Sequence, residues 1–424
     1  MSSLAFTRES SAVVPGPTWL RARRAVAAER VADSELPTEA EEVWRYSRIG
    51  ELDLDAYSPL APDVATDSGV PEPLERVLAV AGARAGLVVL RNGRVAHLEL
   101  DETLARRGVA LGPLSGDHAE LLGTVAPYDV DYFTLMNAAF VETPILLRVP
   151  AGVIVDQPIA VLHWIDAAGV AVFPRTIVQT GADADVTLVE YHTSTDVAAL
   201  TVPVVELDVH DAARLHYLNV QQLGSRVWQI AYQASRVGRD ATLDSSSVAL
   251  GGDYARVRTD SAVSGKGATS NLLAVYFGDR ESMHDFRTMQ DHVAPATTSD
   301  LLFKGAVRDE AKSVYSGLIR VRKEAAGTNA FQTNRNLVLS EGAHVESVPN
   351  LEIEANDVRC SHASAVGPID DEQRFYLESR GITPDVAERL IVLGFFGEVL
   401  DRLPVPALAG PLRAAVMSKL MARR

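Results

Sequence analysis

A small residue opens a short β-rich run four times in succession, at Ala184-Asp185-Val186-Thr187-Leu188, Ala213-Arg214-Leu215-His216-Tyr217, Ala241-Thr242-Leu243-Asp244-Ser245 and Ala268-Thr269-Ser270-Asn271-Leu272. The openings lie 29, 28 and 27 residues apart, and similar ones follow at Ala311 and Ala343 after gaps of 43 and 32. From about Ile145, short β-branched runs alternate with Gly, Asp and Asn turns for over two hundred residues, without an amphipathic helix. A period of this size built from strands alone predicts the stacked coils of a β-solenoid. One coil cannot bury its inner face, so its neighbours must complete the core. A Greek-key sandwich also uses many short strands, but the periodicity favours the solenoid.

The flanks have a different texture. A helix is expected from about Pro17, with Trp19, Leu20, Ala27 and Val31 near helical spacing. After Leu36-Pro37-Thr38, the acidic-first run Glu39 to Tyr46 suits a second helix. Residues 58–73 read as a loop, and Leu87 to Leu98 as a hairpin turning at Asn92-Gly93. Tyr132 to Phe140 looks helical. Beyond His362, Asp370 with Gln373 predicts a capping box for a helix Asp371–Arg380 that Gly381 ends. Thr383-Pro384 opens another helix, with Val386, Leu390 and Leu393 in phase and Ile391 and Phe395 beside them. Pro404 and Pro406 should stop it, leaving a last helix over 411–424. The expected organisation is a mostly helical region with a hairpin (1–140), a β-solenoid (141–366) and a helical module at its end (367–424).

Asp and Glu outnumber Lys and Arg by 56 to 40, giving a net charge of −16, which argues against unaided binding to nucleic acid or an anionic membrane. A basic C-terminus (Arg413, Lys419, Arg423, Arg424) equally suits a helix end. The single cysteine excludes an intrachain disulfide framework. Residues 1–20 lack the apolar run of a secretion signal. The longest apolar run, Leu390 to Phe396, is far short of the ~20 residues of a spanning helix. A cytoplasmic protein is the expectation.

Several motifs fall away on inspection. Ser264-Gly265-Lys266-Gly267 hints at a phosphate loop, but Asp260 stands where that motif needs glycine and Gly267 where it needs Ser or Thr. Gly-x-Ser-x-Gly, HExxH and CxxC patterns are absent. His284, Asp285, Asp291 and His292 have metal-ligating chemistry, though such residues more often serve turns and surfaces. Solenoids also carry polysaccharide-cleaving enzymes, an analogy at the level of fold alone.

Asp357-Val358-Arg359-Cys360-Ser361-His362 is more specific. On a strand, residues two apart share a face, so the Cys360 thiol and the His362 imidazole aim at one place. Both ligate iron or zinc, but one thiolate and one imidazole cannot enclose a metal or a cluster. Either the pair is idle packing, or a second protein supplies the remaining ligands. Arg359 and His362 would lower the thiol pKa if they face it.

The run Asn336-Leu337-Val338-Leu339-Ser340, then Ser347-Val348-Pro349-Asn350-Leu351-Glu352-Ile353, Asp357 to His362, and Asp370-Asp371-Glu372-Gln373-Arg374-Phe375-Tyr376-Leu377-Glu378-Ser379-Arg380-Gly381-Ile382 resembles the SufB/SufD family of iron–sulfur assembly proteins. Thr288, His292, Thr298-Ser299, Gly305, Ser316-Gly317-Leu318-Ile319, Gln332 and the N-terminal Leu36-Pro37-Thr38 with Glu42, Trp44 and Tyr46 fit as well. Cys-Ser-His and the want of further cysteines look like the SufD branch rather than the SufB branch. Ala363-Ser364-Ala365 departs from the family's common Gly-Ala-Thr.

The resemblance implies a right-handed parallel β-helix that pairs with SufB, and a helical region, about 370–403, that holds the ATPase SufC. It implies a non-enzymatic scaffold with no tightly bound cofactor of its own, and a transient iron–sulfur cluster shared with SufB. His362 matches the position implicated at the SufB interface, and Cys360 a neighbouring position. Phe375, Tyr376, Leu377, Leu390 and Phe395 are the candidates for contact with SufC, although an apolar helical stripe is also what core packing looks like. The alternatives are a SufB-like homodimeric scaffold and, remotely, a solenoid carbohydrate enzyme.

Overall fold

Ala184, Ala213, Ala241 and Ala268 each sit, almost fully buried, at the corner where a coil turns into its next strand. A left-handed residue precedes every one of them: Asp183, Ala212, Asp240 and Gly267, with φ of 58°, 57°, 54° and 75°. The same pair then recurs as Ala296-Thr297 and Gly327-Thr328, with φ of 56° and 77° at the first residue. The repeat thus continues after Ala268 through threonines, whose hydroxyls bond to each other at 3.0 Å. Ala311 and Ala343 instead open strands of the opposite sheet, which is why the gap to Ala311 appeared too long.

The computed structural model describes residues 5–60 and 69–421. The coils form two facing sheets in which consecutive coils pair in parallel. The first sheet runs Ile159–Ile165, Asp185–Ser194, Arg214–Gln222, Thr242–Ala249, Thr269–Gly278, Thr298–Val307, Asn329–Val338, Arg359–Gly367. The second runs Ile145–Val149, Arg175–Thr180, Val204–Val209, Val227–Val237, Tyr254–Val263, Met283–His292, Lys312–Val321, His344–Ile353. This is the mainly β, parallel solenoid that the period predicts. Among the described residues, antiparallel pairing occurs only at the first-coil end, where the hairpin Gly86–Arg91/Arg94–Leu100 and the strand Ala110–Pro113 close the sheets. Asn92 and Gly93 turn that hairpin at positive φ, as their sequence demands.

The phosphate-loop look-alike is a coil corner. A Cβ on Gly265 would overlap the backbone of Gly238 and Arg239 in the coil beneath, while Gly267 supplies the left-handed conformation. Gly265→Ala is expected to cost about 1–3 kcal/mol, because the obstacle is backbone and cannot rotate away. A lower urea midpoint at unchanged m-value would register it; an unaltered midpoint would refute the close-stacking account.

Outside the sheets, the helices Thr18–Ala32 and Tyr132–Phe140 cover the second sheet with Phe133, Met136 and Phe140. The expected helix over 39–46 is only a 3-10 turn, Glu42–Trp44. The Val43 and Arg45 carbonyls there accept from Arg256 and Arg287, each at 2.6 Å, and so are committed to the solenoid. Trp44 lies buried under the Arg256 guanidinium, 4.0 Å from the ring centre. Part of the expected 58–73 loop lies outside the described residues.

After the last strand, Asp370 caps Asp371–Ser379 by accepting from the Glu372 and Gln373 amides, and Gly381 ends it at φ 86°. Thr383 precedes Pro384–Leu400 but makes no side-chain cap bond. That helix stops at Leu400, and Pro406 begins rather than ends a helix, Pro406–Met421, with Pro411 inside it. Neither long helix hangs off the solenoid end. Phe396, Leu408, Leu412 and Val416 pack on outward-facing Val248, Leu273, Val275 and Phe277 of the first sheet. No described helix is long and apolar enough to cross a membrane.

Candidate functional site

The coils end abruptly. Among the described residues, Arg359–Gly367 pairs only with Asn329–Val338, and His344–Ile353 only with Lys312–Val321, so each sheet finishes on a long strand with one edge bare of them. Exposed Val348, Ile353 and Val366 lie on these strands. Long, partly apolar edges are templates for further strand pairing.

Strand alternation sends Cys360, His362 and Ser364 the same way, and that way is inward. Ser364 donates across the solenoid to Ser347 at 2.7 Å, Ser347 donates to Asn334 at 2.7 Å, and Asn334 donates to the Tyr276 hydroxyl at 2.9 Å. The inner column in register with His362 is Leu272, Leu301 and Gln332. His362 therefore faces the lumen but stays exposed, because no further coil among the described residues covers it. Cys360 stacks over Ala330 and packs partly against Ile319, Val321 and Ala325. Burial pushes the Cys360 thiol up, against the lowered value expected from its neighbours. Arg359 points the other way along the strand and does not face the thiol.

The proposed partner-facing residues divide. Phe375, Tyr376 and Leu390 are exposed, Phe375 by 73%. Leu377 and Phe395 are half-buried and, with Leu390 and Ile391, line a groove of about 490 Å³. The Lys304 ammonium sits 4.6 Å from the Phe395 ring.

His284, Asp285, Asp291 and His292 do not converge on an ion. His284 meets the Phe277 carbonyl at 3.3 Å, and His292 bonds Thr297 and Ser299 at 2.8 and 2.9 Å. Asp285 is held by Arg256 and Arg287, and Asp291 by Arg322.

The sequence reading missed a different group. His163, Glu190 and His192 lie inside the solenoid, with ligand atoms within 4.8 Å of one another. His163 and His192 are register partners one coil apart, their rings parallel with centres 4.2 Å apart. Glu190 Oε1 accepts from Thr176 at 2.8 Å and meets His163 Nε2 at 2.7 Å, while Oε2 accepts from Tyr217 at 2.7 Å. Burial works to raise the Glu190 pKa, but His163, His192 and Tyr217 outweigh it and hold it at about 2. Burial, with His163 alongside, pushes His192 down to about 3. His192 Nε2 and His163 Nδ1 have no hydrogen-bond partner. A signal was available: 163 and 192 differ by 29, one coil, and Glu190-x-His192 alternates as inward residues do.

The family model described as SUF system FeS cluster assembly, SufBD core domain, matches residues 163–395, more than half of the chain. The chain belongs to the SufBD family. The match takes in both the terminal coil and the buried His–Glu–His group. An iron–sulfur cluster assembly SufBD family protein of Mycobacterium tuberculosis is 41% identical over 224 residues, covering 51% of this chain and 56% of that protein. The SufBD-family chain thus spans little more than half the length of its mycobacterial relatives. SufD of Bacillus subtilis is 27% identical over 95% of this chain and 94% of its own length. SufD of Escherichia coli is 32% identical over 56% of each.

Proposed function

We propose that this chain is a SufD-like scaffold subunit of an iron–sulfur assembly complex. It would pair with SufB through residues 141–366 and hold the ATPase SufC through the helices of 367–424. The observation that carries the reading is the bare terminal coil with His362 in its mouth. Two unpaired strand edges invite a partner's strands, and an inward imidazole left exposed there would meet whatever the partner brings. The iron–sulfur cluster is cargo in this scheme. His362 supplies one ligand, Cys360 flanks it, and SufB supplies the softer remainder. Phe375, Tyr376 and Leu390 offer an exposed apolar face for SufC, bordering the groove at Leu377 and Phe395. The chain itself performs no catalysis and works in the cytoplasm, with ATP hydrolysis by SufC supplying the motion.

The test is co-expression with SufB and SufC, followed by anaerobic purification and assay of iron and sulfide. His362→Ala should leave the complex assembled while lowering its cluster content by roughly tenfold or more, the scale of losing a metal-site residue. Unchanged cluster content would remove His362 from the site. A chain that loads a cluster without SufB would overturn the division of labour.

A further inference from the structure

We infer that His163, Glu190 and His192 form a divalent transition-metal site inside the solenoid, separate from the terminal coil, for an ion of the zinc or ferrous class. The donor set is two imidazoles and one carboxylate, the borderline ligands such ions prefer. Among the described residues, no other group of three His, Cys, Asp or Glu side chains brings its ligand atoms so close together. All three residues are at least nine-tenths buried.

An ionised carboxylate in this interior needs a counter-charge. Glu190 receives hydroxyl donors from Thr176 and Tyr217, and its Oε1 also meets His163 Nε2 at 2.7 Å. His192 Nε2 lies 3.9 Å from Glu190 Oε1 without any partner, a buried polar atom aimed at an anion it does not reach. Leaving such an orphan unfilled destabilises the fold. A cation beside Oε1 would ligate this nitrogen and take the place of the direct His163–Glu190 contact, with both imidazoles and the carboxylate bound to it. The parallel stack sets one condition. A ligated ion lies in the plane of each imidazole, so one ring must leave the stack before both Nε2 atoms can face it. The Thr176 and Tyr217 bonds would then remain as the outer supports that fix the carboxylate.

The site is independent of the scaffold reading, and the experiment keeps the two apart. The full chain is stripped with chelator, incubated with zinc(II) or, anaerobically, with ferrous iron, and desalted; bound metal is measured by mass spectrometry. Equimolar metal is expected in the wild type, in His362→Ala and in Cys360→Ser, with loss in Glu190→Gln and His192→Ala. Metal that vanishes with His362→Ala or survives His192→Ala overturns the site, as does a wild type that retains none. Core variants can fail to fold, so cobalt(II) loading of the wild type supplies a second reading. Intense visible bands indicate a low-coordinate nitrogen and oxygen site, whereas the spectrum of aqueous cobalt overturns the proposal. SufB pairing by His192→Ala, tested in the same preparations, reports on the scaffold reading alone.

Discussion

Asp285→Ala is expected to destabilise the fold by roughly 3–5 kcal/mol, the cost of stranding buried charge without its partner. The Asp285 carboxylate is fully buried and accepts from Arg256, from Arg287 at 2.6 Å and from the Tyr254 hydroxyl at 2.9 Å. Removing it leaves two guanidiniums inside, Arg256 still donating to the Val43 carbonyl and Arg287 to the Arg45 carbonyl. The N-terminal segment should therefore loosen along with the second sheet. Denaturant unfolding measures the first effect, and limited proteolysis between residues 33 and 57 the second. Asp285→Asn, which keeps the acceptor but not the charge, should fall between wild type and alanine. A loss under about 1 kcal/mol for Asp285→Ala would mean that solvent reaches those guanidiniums, contrary to their burial.

Acidification should destabilise the chain well before its carboxylates titrate. Burial pushes His284 and His292 down from 6.5 to about 4, so both stay neutral in the fold while the unfolded chain protonates them. The unfolded state then binds more protons between about pH 6.5 and 4. Stability rises with pH in that window and is lost on acidification. With each proton worth about 1.4 kcal/mol per pH unit at full difference, the pair should cost roughly 3 kcal/mol between pH 6.5 and 5. The double variant His284→Gln, His292→Gln should reduce that slope, leaving the share of His192, which burial also pushes down to about 3. An equal slope in both proteins would place the acid response elsewhere.

The terminal pair and the fold were legible for the same reason. Strand alternation is a local rule, so the shared face of Cys360 and His362 could be read from two letters and a strand. What alternation cannot give is the surroundings of that face. The raised Cys360 thiol follows from its burial against the cluster of Ile319, Val321 and Ala325, which arrive from neighbouring coils. The helix expected over 39–46 failed because acidic-first patterning describes an isolated segment. Its carbonyls are claimed by Arg256 and Arg287, more than two hundred residues away. The placement of the last two helices failed likewise. Their apolar stripes said that they must cover something, and the outward Val275 and Phe277 of the first sheet decided what.

The sequence by itself determined the solenoid, because a coil corner is a local event. A small residue opening each of four strands at intervals of 29, 28 and 27 residues favours stacked coils over a sandwich of hairpins. It also excluded a phosphate loop at Gly265 and Gly267, since the loop's remaining residues are missing. Only the tertiary structure decided which inward residues meet. His163, Glu190 and His192 come together with Thr176 and Tyr217 because coil stacking converts a separation of one period into a contact of a few ångströms. Register sets such contacts, and register is fixed by the packing of whole coils.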